Sequence, residues 1–319
     1  MKDIDFFSFS HYLFLPTRAN PKVALVIDNK NLSKNSFKLY NPFSIKAKIL
    51  KNVSKFSFTT LNMFTRQLGI KKEKSDFINY LEKLLDEELH VSLYFATAND
   101  KVVLQLQSDE AKIIAYVKYP LNQKGVQRVT NEIKALEILA SKEILQSYML
   151  KGSYKNKPFV VLHELDGLID VINNDVVKGL VQKFYRKKSY RLENHPRVLS
   201  LQKLLIHLDM FEALSKLKAI CKDSSMEYAL VYEHGDFAPW NIIKVNNEYI
   251  PFDFEYFVED GLEYFDLIKY YYQIGSLLEF KTEDSLKNYV CSKIILDEIG
   301  YIYELYLIKE EILKNLERE

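Results

Sequence analysis

Apolar positions recur along this chain in two periods, and the changes of period divide it. After Asn41-Pro42, a pair suited to a helix N-cap and first turn, Ile45, Ile49, Val53 and Phe56 recur at helical spacing. Lys46, Lys48, Lys51 and Lys55 fall between them, which predicts a basic amphipathic helix over residues 42–56. A second helix is expected at Ser75–Glu88, with Ser75 as N-cap and Phe77, Leu81, Leu84 and Leu85 as its apolar set. From Val91 the period shortens to that of strands. Val91–Ala98, Val102–Gln107 and Ile113–Tyr119 are rich in β-branched and aromatic residues and are separated by Asn99-Asp100 and Ser108-Asp109, which reads as a three-stranded meander. A helix at Thr130–Ser141 follows, with Ile133, Leu136, Leu139 and Ala140 on one stripe, then a strand at Phe159–His163. Beyond it the pattern predicts one long helix over 197–221, a strand at Tyr228–Tyr232, a Tyr-rich helix near 262–279 and a last helix near 302–317.

Composition narrows the class. The 319 residues are 48% hydrophobic and 27% charged with 9 Gly and 8 Pro, which excludes a disordered or collagenous chain. Lys and Arg (44) nearly balance Asp and Glu (43), so the whole chain lacks the excess positive charge of non-specific nucleic-acid binding. The balance hides an asymmetry: residues 1–75 hold 14 basic and 4 acidic residues, a charge of +10, which leaves −9 for the rest. This contrast suggests a separate basic N-terminal module. Cys221 and Cys291 have no metal or disulfide spacing and read as thiols in a reducing compartment. Apolar runs reach only five residues, as at Val23–Ile27 and Ile113–Val117, far short of a membrane span. The acidic start Met-Lys-Asp-Ile-Asp does not resemble a secretory signal, so a cytoplasmic location is expected.

Chemistry concentrates in His234-Gly235-Asp236-Phe237-Ala238-Pro239-Trp240-Asn241, followed by Ile242–Val245, Asn246-Asn247 and Glu248–Phe252, and ending in Asp253-Phe254-Glu255. Asn-Asn between apolar runs makes a tight hairpin turn, because Asn tolerates positive φ. The hairpin brings Asn241 at its entry beside Asp253 at its exit. An amide oxygen and a carboxylate are hard ligands suited to Mg²⁺. Asp236 on the preceding loop would face the same space and could accept a proton from a hydroxyl nucleophile.

The pattern His-Gly-Asp-x-x-x-x-Asn, hairpin, Asp-Phe-Glu resembles the aminoglycoside phosphotransferase and choline kinase group of protein-kinase-like enzymes. The resemblance spans about 91–280 and implies an α+β, bilobal protein-kinase-like fold, with a small β-sheet N-lobe at 91–165, a mainly helical C-lobe at 166–319 and an accessory basic domain at 1–90. It makes Asp236 the catalytic base and Asn241 and Asp253 the metal ligands. Ala115-Tyr116-Val117-Lys118 resembles the strand that supplies the phosphate-binding lysine, with Glu132 as ion-pair partner and Glu137 as a weaker candidate. Thr97 in the turn Ala96–Asp100 and Glu164 in the strand and hinge at 159–165 are further cofactor-binding candidates. The implied cofactors are ATP, with GTP as an alternative, and Mg²⁺.

Two departures from the family pattern stand out. The turn Ala96–Asp100 has no glycine, unlike the Gly-rich loop of protein kinases, and Glu255 replaces the expected Gly, so its role is open. Asp266 in Tyr-Phe-Asp-Leu resembles a family aspartate that supports the catalytic loop. His234 reads as a loop anchor, and Pro239 and Trp240 as walls of the loop. The expected activity is transfer of a γ-phosphoryl group to a hydroxyl of a small molecule or of a sugar or glycan intermediate. The basic N-terminal segment tilts the reading toward a glycan-linked acceptor. The rival reading is a catalytically silent pseudokinase acting as an interaction protein, which the glycine-free turn favours slightly. For the helix at 42–56 the alternatives are a solvated lysine face on a helix packed against the body, or peripheral contact with an anionic surface. No nucleic-acid module is discernible.

Overall fold

The computed structural model describes residues 6–40, 45–62, 66–95, 100–146, 148–169 and 172–318. The chain divides into two compact units, Met1–Ile133 with Ser147–Glu164, and Lys134–Gln146 with Leu165–Glu319.

The first unit contains β1 (Ser10–Leu15), β2 (Val23–Val26), α1 (Lys30–Ser36), α2 (Ile45–Thr60), β3 (Ile70–Lys72) and α3 (Asp76–Leu85). Next come β4 (His90–Phe95), β5 (Lys101–Gln107), β6 (Ile113–Pro120), the helix α4 (Gln123–Ser141), whose residues from Lys134 onward belong to the second unit, β7 (Met149–Tyr154) and β8 (Lys157–His163). All eight strands form one antiparallel sheet in the order β3-β1-β2-β4-β5-β6-β8-β7. The expected order of three strands, a helix and a further strand is present. Residues 1–90, expected to form an accessory basic domain outside the family resemblance, supply three strands of this same sheet, with β2 paired to β4 through Val23↔Tyr94 and Ala24↔Leu93. Their apolar residues are shared with both neighbours. Ala24 and Val26 pack with Val91, Leu104 and Phe77, whereas Val23 and Leu25 pack with Phe37 and Phe58. The five-residue run Val23–Ile27 thus contains β2, a strand buried on both faces, which period-two arguments do not flag.

Ser75 caps α3 by accepting from the Ile78 N–H, and the buried side of α3 is Phe77, Ile78 and Leu81, with Leu84 largely exposed. In α2 the packed side is Ser54 and Phe58, followed by Asn62, whose Nδ2 donates to the Ile27 carbonyl at 2.8 Å. Ile49, Val53 and Phe56 point the other way and are 58%, 60% and 62% exposed. The Asn41-Pro42 cap and the turn residues 96–99, including Thr97, lie outside the described residues.

The second unit carries α5 (Asn174–Gln182), β9 (Tyr185–Arg191), α6 (Pro196–His207), α7 (Phe211–Asp223), β10 (Glu227–Glu233), β11 (Ile242–Val245), β12 (Glu248–Pro251) and β13 (Val258–Leu262). Helices α8 (Phe265–Gln273), α9 (Glu283–Lys293) and α10 (Ile299–Arg318) complete it. A small sheet, β13-β10-β9, and the hairpin β11-β12 are embedded in helices. Their common core holds Leu201, Leu205, Leu217, Tyr270 and Tyr306. The long helix expected at 197–221 is two helices, because the chain turns at Leu208-Asp209-Met210 with Asp209 at φ 54°. Apolar spacing alone did not reveal that break. The fold class is α+β, as expected, and among the described residues no helix is long and apolar enough to cross a membrane.

Candidate active site

Lys118 sits in the middle of β6, where period two decides its direction. Ala115, Val117 and Tyr119 join the core with Phe77, so Tyr116 and Lys118 occupy the opposite face. There the Lys118 Nζ donates to both carboxylate oxygens of Glu132, at 2.7 and 2.8 Å, with side-chain exposures of 10% and 2%. Glu132 rather than the exposed Glu137 is therefore the partner.

Helix α4 begins seven residues earlier than the apolar stripe suggested, because Asn122 accepts from the Gly125 N–H at 2.9 Å and caps it. Gly125 permits a close approach, since a Cβ there would lie 1.9 Å from the Asp100 carbonyl oxygen. Arg128 donates to the buried Asp100 carboxylate at 2.6 Å. The helix that presents Glu132 is thus fixed to the strand end at Asp100, a pair the sequence reading missed. Glu164 donates its backbone N–H to the Ile114 carbonyl at 3.1 Å. Its carboxylate lies against the Tyr116 hydroxyl, whose pKa burial foremost pushes up to about 12, opposed by the Gln105 hydrogen bond.

In the second unit the motif becomes a pinned loop. Gly235 has φ +84°, and a Cβ there would lie 2.2 Å from the Tyr256 carbonyl, so no other residue fits. The buried Asp266 accepts from the N–H groups of His234, at 2.7 Å, and Gly235, at 3.0 Å, the supporting role the resemblance implied. Burial foremost, and then Glu233, pushes the Asp266 carboxyl up to about 7, against the pull of those two N–H groups. His234 is buried and neutral. Its Nε2–H donates to the Phe252 carbonyl at 2.9 Å and its Nδ1 faces the Asp236 N–H, while burial lowers its pKa. The imidazole is a clasp between the loop and the hairpin.

The hairpin forms as expected, with Asn246 and Asn247 at φ 47° and 69°, the double positive φ of a two-residue turn. At its open end the Phe252 N–H donates to the Asn241 carbonyl at 2.9 Å, which sets Asn241 opposite the residue before Asp253. Asp253 itself is held at φ 68°, a conformation costly for a non-glycine residue and concentrated at functional sites. The Asn241 Nδ2 donates to the Asp236 carbonyl at 2.9 Å and to its carboxylate at 3.1 Å. That bond commits the amide nitrogen and turns the Oδ1 acceptor away from Asp236. Among the described residues no group of three His, Cys, Asp or Glu side chains is placed to hold a metal. An amide oxygen and one carboxylate nevertheless fit Mg²⁺, which retains waters and takes further ligands from nucleotide phosphates.

The structure adds a residue to this loop that the motif did not name. Lys269 from α8 lies 3.3 Å from the Asp236 carboxylate and 3.2 Å from Glu310. Burial would lower its pKa, but Glu310 and Asp236 together raise it. From there the charges alternate: Glu310 meets Lys309 at 3.3 Å, Lys309 meets Glu233 at 3.3 Å, and Arg197 grips Glu233 with two bonds at 3.0 and 3.3 Å. The available sequence signal was Lys269 itself, one helical turn after Asp266 within an apolar, Tyr-rich stretch.

No family model matches the chain, and no curated protein sequence matches it. Among solved structures it is similar to an ethanolamine kinase of Plasmodium vivax, with 12% identity and TM-score 0.42, over 87% of this chain and 82% of that one. It is also similar to aminoglycoside phosphotransferase APH(3'')-Id of Streptomyces rimosus, with 15% identity and TM-score 0.43, over 73% and 97%. The streptomycin–ATP–APH(2'')-IIa ternary complex matches with 15% identity and TM-score 0.40, over 75% and 95%.

Proposed function

We propose that the protein is a small-molecule kinase that moves the γ-phosphate of ATP to a hydroxyl of a small molecule or glycan intermediate. The observation that carries the reading is the pinned loop. Asp236 is only partly buried, with its carboxylate held by Asn241 and Lys269 at 3.1 and 3.3 Å, on a backbone tied down by Asp266. Such a carboxylate can orient an acceptor hydroxyl and take its proton, and phosphoryl transfer needs little else from protein beyond positioning and charge. The Lys118–Glu132 pair supports the same reading, because a lysine held by a buried glutamate is prepared to hold α- and β-phosphates.

In this scheme Lys118 orients the nucleotide phosphates, and Asn241 and Asp253 would hold Mg²⁺. The bound ion would offset charge developing on the transferred group. Asp236 positions and deprotonates the acceptor, and Lys269 keeps the Asp236 carboxylate directed.

Turnover of ATP measured over a panel of amino sugars, amino alcohols and neutral sugars tests the proposal. Acceptor-stimulated ADP release by the wild type, lost in Asp236→Ala, supports it. Nucleotide binding with no turnover on any acceptor would favour the pseudokinase reading.

A further inference from the structure

Helix α2 presents its apolar side outward. At helical pitch Ile49, Val53 and Phe56 fall within a sector of about 60°, over a length of about 10 Å, opposite the packed residues Ser54 and Phe58. The exposures of 58%, 60% and 62% show that this stripe is not part of the core. Exposed lysines border it, Lys46 on one side and Lys48 and Lys55 on the other, and Lys51 lies half-buried further round. The helix contains no acidic residue, and residues 1–75 as a whole carry 14 basic against 4 acidic ones.

We propose that α2 is an interfacial helix that seats the protein on a lipid bilayer surface bearing anionic headgroups. A stripe of large apolar side chains flanked by lysines matches such a surface in both respects. The apolar residues enter the boundary between headgroups and acyl chains, and the lysine stems run along the helix to leave their ammonium groups among the anions. The alternatives fit less well. A second copy packed through the same stripe would set lysines against lysines. A nucleic acid or a phosphorylated glycan has no use for Ile49, Val53 and Phe56. A stable protein interface needs about 800 Å² per partner, more than one short stripe supplies.

Co-sedimentation of the full chain with vesicles tests the proposal, using phosphatidylcholine alone and phosphatidylcholine mixed equally with phosphatidylglycerol. Binding is expected to the mixed vesicles, weak on phosphatidylcholine alone, and weakened by salt. Lys48→Gln and Lys55→Gln should each lower the partition coefficient about five-fold. Val53→Ser with Phe56→Ser should abolish binding with the circular dichroism spectrum and ATP affinity unchanged, since both side chains are exposed. Failure of the wild type to sediment with mixed vesicles, or binding indifferent to Phe56→Ser, would overturn the assignment. So would a concentration-dependent dimer in analytical ultracentrifugation that Phe56→Ser dissolves, because the stripe would then belong to a second copy.

Discussion

Asp236 combines partial exposure with a fixed orientation, and each of the two contacts that fix it can be removed separately. Replacing Asp236 by Ala should reduce turnover by about 10²–10⁴-fold while MgATP affinity stays within a small factor, as for other general bases. Lys269→Met leaves Asp236 in place but with the Asn241 amide as the one remaining contact of the two, so its carboxylate is less firmly directed. Turnover is therefore expected to fall with little change in nucleotide affinity, and steady-state kinetics alongside calorimetry would separate the two effects. Gly235 belongs to the same scale. With φ at +84° and the Tyr256 carbonyl in the path of any Cβ, Gly235→Ala should destabilise the unit by at least about 1–3 kcal/mol in urea unfolding and silence the loop. An active, equally stable Gly235→Ala would show that the loop tolerates rearrangement.

At the scale of elements, the start of α10 supplies a pH dependence. Glu298, just before that helix, is penalised by burial, yet hydrogen bonds from Ser224, from the Ser225 backbone and hydroxyl, and from Tyr228 hold its carboxyl down at about 2. A carboxylate depressed from its usual 4.5 adds stability that is complete above that value and lost as pH falls through about 2. Glu298→Gln should therefore lose stability at neutral pH and flatten the decline between pH 5 and 2, as thermal unfolding across that range would show. Elements also show what the sequence made legible. The loop, the hairpin and its Asn-Asn turn were readable because they lie within the twenty residues from His234 to Asp253. The Lys118–Glu132 pair needed only a strand followed by a helix. Strands β1 to β3 were not readable, since β2 finds its partner β4 some seventy residues on, and a strand buried on both faces has no alternation to betray it. The apolar stripe of α2 was visible as a stripe, but only packing could tell which side of the helix faced the core.

At the scale of the molecule, the alternating chain Asp236, Lys269, Glu310, Lys309, Glu233 and Arg197 ties the Asp236 loop to helices that lie far from it in sequence. Local pattern could not expose it, because its members come from the Asp236 loop and four separate elements and meet only in the fold. Glu233 is fully buried between two cations, so Glu233→Gln takes the anion from Arg197 and leaves Lys309 with Glu310 alone, and should cost about 3–5 kcal/mol in urea unfolding. A loss below about 1 kcal/mol would mean that the network matters less than its burial implies. The proposed function requires that Lys118, Asn241 and Asp253 serve a magnesium nucleotide. Calorimetric titration of ATP with and without Mg²⁺ into the wild type, Lys118→Ala and Asp253→Ala tests it most directly. Magnesium-dependent binding is expected of the wild type, severely weakened in both variants. Absence of binding by the wild type, or binding indifferent to Mg²⁺ and to Asp253, would contradict it.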